Sequence, residues 1–86
     1  MQAELSTLKS RVVDLVRGSA VGERVGDVVL ETDRYDDGGD FLRVILEMKS
    51  FDGLSDADLA AVIEAIERAV GELDERYPSV RFADAA

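Results

Sequence analysis

The chain has 86 residues, 47% of them hydrophobic, and a formal net charge of −9. That suits one small domain around a single core. Cysteine and histidine are both absent, which excludes disulfides, thiolate zinc sites, cysteine nucleophiles and the usual general base at neutral pH. The negative charge repels phosphate backbones, and the chain has no tryptophan for base stacking, so direct nucleic-acid binding is not expected. A basic protein is the better electrostatic match.

In chain order, the first element is a helix over roughly residues 3–17. Leu5, Leu8, Val12 and Leu15 recur at three- and four-residue steps, with Val16 beside them. This N-terminal stretch is amphipathic and has no continuous apolar centre, so it does not read as a signal peptide. No apolar run approaches a membrane span, and a cytoplasmic location without membrane contact is the expectation. Gly18 and Ser19 stop the helix. The segment "GSAVGERVG" then reads as a flexible connector.

Two strands follow. "DVVLET" puts Val28, Leu30 and Thr32 on one face, and "FLRVILEMK" puts Leu42, Val44, Leu46 and Met48 on one face without interruption. Alternation of this kind marks a strand with one side on a core and one side mostly wet. On the wet side, Val29, Phe41 and Ile45 form an apolar patch. The first helix covers that patch, or a second subunit uses it; covering is the simpler reading. Between the strands, "RYDDGG" is a turn signal, since aspartate and glycine tolerate the left-handed backbone of a tight reversal.

The long helix, "SDADLAAVIEAIERAVGELDERY", opens on Ser55 with Asp58 three residues later, a capping-box spacing. Leu59, Val62, Ile63, Ile66, Val70 and Leu73 form its apolar stripe; Tyr77 is read as extending it and Pro78 as ending it. Gly71, inside the helix, permits close packing or is neutral. "SVRFA" is a short last strand, and the closing "DAA" is expected to fray.

The fold class is therefore α+β: a small single domain over residues 1–86 in the order α-β-β-α-β. A three-stranded sheet carries the long C-terminal helix on one face. Residues 1–18 form an N-terminal helix, semi-independent of a ββαβ core over 27–83. That helix shares the sheet face or pairs with a copy of itself. The last crossover is right-handed if the final strand runs parallel to its neighbour.

Four carboxylates, Asp33, Asp36, Asp37 and Asp40, surround Gly38 and Gly39. An EF-hand calcium loop needs ligands at loop positions one, three, five and twelve, with glycine at six. Counting from Asp33, position six is Gly38, but position three is Tyr35 and position twelve is Val44, which cannot ligate. A solvated hairpin tip ranks ahead of a loose divalent-metal site. Glu64, Glu67, Glu72 and Glu75 on the long helix lack any cleft that would raise a pKa for acid–base work. The serines have only lysine as an amine base and no Ser-x-x-Lys motif, and no phosphate-binding Gly-Lys-Ser/Thr occurs.

Charge is unevenly placed. Residues 1–18 carry three bases against two acids, residues 19–54 four against nine, and residues 55–76 two against seven. The sequence thus points to a non-catalytic, acidic protein–protein interaction module that binds itself or a basic protein partner and needs no cofactor. The residues expected at the contact are Asp33, Asp36, Asp37, Asp40, Glu64, Glu67, Glu72 and Glu75. Small acidic inhibitors, antitoxins and nucleic-acid mimics share this composition. A weak metal-binding protein using the aspartate-rich turn is the third reading.

Overall fold

The computed structural model describes residues 2–84. It is a small α+β domain: helix α1 (Leu5–Arg17), a single 3₁₀ turn (Gly22–Arg24), strands β1 (Val25–Arg34) and β2 (Asp40–Met48), helix α2 (Asp56–Leu73) and strand β3 (Tyr77–Asp84). The order α-β-β-α-β is the expected one. The sheet is mixed, in the order β1-β2-β3, with β2 central, antiparallel to β1 and parallel to β3.

Register follows the apolar alternation. Val28 stands opposite Leu46, Leu30 opposite Val44 and Thr32 opposite Leu42; on the other side of β2, Pro78, Val80 and Phe82 stand opposite Leu42, Val44 and Leu46. Leu42, Val44, Leu46 and Met48 are all buried. They share one cluster with Leu8, Val12 and Val16 of α1, Val21, Val28 of β1, and Val62, Ile66 and Val70 of α2. Burying side chains of this size contributes about 1.5–3 kcal/mol each. The buried row of α1 is Leu8–Val12–Val16, at four-residue steps, while Leu5 is exposed and Leu15 only half-buried.

All three strands start earlier than the alternation suggests, β1 at Val25, β2 at Asp40 and β3 at Tyr77. At the start of β1 the register shifts between Val25 and Asp27, so that Gly26 is an extra residue. This bulge turns both Val25 and Val28 toward the core and breaks the two-residue period. The connector before β1 is not a flexible linker. Val21 is fully buried, and a Cβ on Gly22 would lie 2.7 Å from the carbonyl oxygen of Arg17. Glycine is there because two stretches of backbone nearly touch.

The long helix starts where the capping box places it. Ser55 Oγ accepts from the Asp58 N–H at 3.1 Å, and Asp58 Oδ2 accepts from the Ser55 N–H at 3.0 Å. It ends four residues before the expected position, at Leu73, with Asp74 as its extended C-cap. Tyr77 therefore does not extend the helical stripe, and Pro78 does not end the helix. Both belong to β3, and Tyr77 is 57% exposed. Gly71 faces open space, which removes the close-packing reading. Asp84 is the final strand residue and not frayed; Ala85 and Ala86 lie outside the described residues.

The cause of the early helix end is a buried ion pair. Asp74 and Arg76 are 6% and 9% exposed. Arg76 donates from Nε to Asp74 Oδ1 at 2.9 Å and from Nη2 to Oδ2 at 2.7 Å, a bidentate fork. Its remaining donors reach Thr32 Oγ1 on β1 at 3.2 Å and the Ala3 carbonyl at 3.1 Å, while the Ala3 N–H donates to Asp74 Oδ2 at 2.8 Å. Among the described residues no buried side-chain nitrogen or oxygen lacks a partner.

The guanidinium fork holds the Asp74 carboxyl well below the usual carboxylate range, against the opposing cost of burial. A carboxylate whose folded pKa is depressed stabilises the fold fully above its unfolded pKa, and that stability drains away as pH falls through about 4 and below. Acid titration followed by circular dichroism should show the loss beginning there, and Asp74→Asn should flatten it. At neutral pH, Asp74→Ala strands a buried guanidinium and should cost about 3–5 kcal/mol in a urea titration; Asp74→Leu with Arg76→Met should cost less than either single change. On the exposed side of α2, Gly71→Ala should add about 0.5–1 kcal/mol, whereas Gly22→Ala should destabilise.

Candidate functional site

The first helix does not cover the wet face of the sheet. Its buried row sits in the cluster that holds Leu42, Val44, Leu46 and Met48, on the other side. The opposite face carries Asp27, Val29, Glu31 and Asp33 from β1, Phe41, Arg43, Ile45 and Glu47 from β2, and Tyr77, Ser79, Arg81 and Ala83 from β3, set by the cross-strand register. Val29, Phe41 and Ile45 are half-buried there and are not part of the core cluster.

The hairpin tip closes this face at one end. The Tyr35 N–H donates to the Gly39 carbonyl at 2.7 Å, and the Gly38 N–H donates to the Tyr35 carbonyl at 2.9 Å. Gly38 has φ +93°, the left-handed conformation such a three-residue reversal requires. Asp37 Oδ1 accepts from the Gly39 N–H at 3.1 Å and so holds the turn from within. The turn is therefore a hairpin tip, as its sequence suggests.

Of the four tip aspartates, Asp33 pairs with Arg43, and Asp40 lies 3.4 Å from Arg34 Nε. Arg43 also reaches Glu31 Oε1 at 3.4 Å and lies 5.7 Å from the centroid of the Phe41 ring. Asp36 is exposed at the apex. Among the described residues no three metal-ligating side chains converge on one point. Of these carboxylates, Asp33 and Asp40 are paired with the chain's own arginines and Asp37 with the Gly39 amide.

On α2, Glu64 pairs with Arg68 at 3.3 Å, one helical turn on. Glu67 accepts from the Tyr77 hydroxyl at 3.2 Å. That bond, with the Glu67 charge behind it, raises the Tyr77 pKa above the ordinary phenol value. Glu72 and Glu75 are exposed near the helix end. Glu67, one of the helix acids, is tied to β3 through Tyr77, and Glu64 lies three residues before it on the same helix.

What the acidic residues leave unannounced is an aromatic grouping. Tyr35 and Phe41 stack with ring centroids 4.6 Å apart. Tyr77 stands opposite Phe41 in the β2–β3 register, and the three rings line one shallow depression with Arg34, Asp36 and Ser79. Tyr35 is 45% exposed. The signal in the sequence was slight: Phe41 occupies an outward strand position, Tyr35 a turn, and Tyr77 was placed on a helix. Comparison with protein-family models, curated proteins and solved structures finds no match to this chain.

Proposed function

We propose that this chain is a non-catalytic interaction module that engages a basic protein through its acidic surface. The observation that carries the reading is a sheet face that, among the described residues, contributes nothing to the core cluster, on a domain of net charge −9. Complementary charge steers encounter and selects partners, and half-buried apolar groups at Val29, Phe41 and Ile45 supply contact area beneath the charged rim. The reading takes α2 to lie over the opposite sheet face, supported by Val62, Ile66 and Val70 sharing the cluster of the Leu42 row. A cytoplasmic location fits a chain without cysteine.

The direction of the Asp74 shift sets that one carboxyl apart from acid–base work. A general acid needs a carboxyl raised toward neutrality; Asp74 is held low and is spent on a structural pair. Among the described residues, no helix is long and apolar enough to cross a membrane.

A partner bound in this way should be released by salt. Its affinity should fall at least tenfold between about 50 and 500 mM salt, where the Debye length shrinks from roughly 14 to 4 Å, and surface plasmon resonance would measure it. Affinity that holds steady across that range overturns the reading. Replacing Asp33, Asp36, Asp37 and Asp40 by Asn should slow association more than it speeds dissociation.

A further inference from the structure

The open face has one place where its chemistry is concentrated. At the tip end, Tyr35, Phe41 and Tyr77 bring three of the chain's five aromatic rings to one depression. The two tyrosines are 45% and 57% exposed, more than packing alone would leave them. Carboxylates stand around the rings: Asp36 lines the depression, Asp40 lies beside Arg34, and Glu67 holds the Tyr77 hydroxyl. An aromatic face carries negative potential, so exposed rings flanked by carboxylates attract a cation with an apolar stem. The chain itself already shows the pairing, with the Arg43 guanidinium lying against the Phe41 ring.

Resting on the function proposed above, we infer that the depression walled by Tyr35, Phe41 and Tyr77 seats a lysine or arginine side chain of the basic partner. Arg34 is the native cation at its rim. Among the described residues its side chain is held by a 3.4 Å contact to Asp40, and the two side chains are 73% and 40% exposed. Exposed pairs of this kind contribute little, so Arg34 can swing aside and leave Asp40 to the incoming charge. A second copy of this chain fits the depression poorly. It would bring another −9 to an acidic surface, and Arg81, on the same face, lies four residues along edge strand β3 from Tyr77, opposite Ile45.

The test titrates the full chain with octalysine at low ionic strength, followed by NMR, with octaglutamate as the control peptide. Three proteins are compared: the unaltered chain, Tyr35→Leu with Tyr77→Leu, and Glu64→Gln with Glu72→Gln. Both tyrosines are exposed, so their loss spares the core, and circular dichroism checks that. The expected result is saturable octalysine binding, with shifts at the Tyr35 and Tyr77 ring protons. Each lost ring should weaken it about two- to five-fold although no charge changes, while the glutamine pair should weaken it less. Octalysine binding that is indifferent to ring loss but falls with salt overturns the seat and leaves the acidic-surface function standing. No octalysine binding by the unaltered chain overturns both. A dimer that sedimentation detects and ring loss dissolves, with octalysine binding unchanged, assigns the depression to a second copy and overturns the seat.

Discussion

A carboxylate and a guanidinium withdrawn from water hold three separate stretches of this chain in place. Asp74 and Arg76 lie two residues apart, between α2 and β3, yet their spare hydrogen-bonding groups reach Thr32 on β1 and Ala3 ahead of α1. Ions at this depth are tolerated only when every donor and acceptor is matched. The matching therefore determines where the helix must stop, where β3 must begin and how the start of the chain must lie. Tyr77 follows Arg76 directly, so the placement of that ring beside Phe41 and Tyr35 also descends from this pair.

Both helices contribute to one buried cluster with the Leu42, Val44, Leu46 and Met48 row, and the sheet is unlike on its two faces. One side is saturated: twelve buried residues form its cluster. The other has short polar groups, a few half-buried apolar ones and two arginines, of which Arg43 is already tied to Glu31 and Asp33. A face of this composition is wet enough to stay dissolved and apolar enough to be worth covering. The proposed interaction rests on that balance more than on the total of negative charge.

Much of the fold was legible in the amino-acid order because periodicity reports burial directly. The uninterrupted row at 42, 44, 46 and 48 located β2, and the Ser55–Asp58 spacing located the start of α2. Legibility failed where tertiary contacts override local pattern. The bulge at Gly26 hides the first turn of alternation in β1. "DERY" continues a helical pattern until Arg76 turns back on Asp74, a contact that hydropathy cannot signal. Gly22 looked like slack and is a point of close approach. For the candidate site, the acidic residues were visible but their grouping was not. The carboxylates are divided between tip and helix in the sequence as in the fold. The rings beside the tip come from a turn and two strands, and only the parallel pairing of β3 with β2 makes them neighbours.

The hydrogen bond between Ala3 and Asp74 spans 71 positions of chain. Contacts that distant carry the greatest loop-closure entropy and form late. Until Asp74 and Arg76 have been made, Ala3 has neither of these distant partners. A nascent polypeptide stalled before Arg76 would lack both the ion pair and the third strand, and would present its apolar sheet edge to whatever chaperone is nearest.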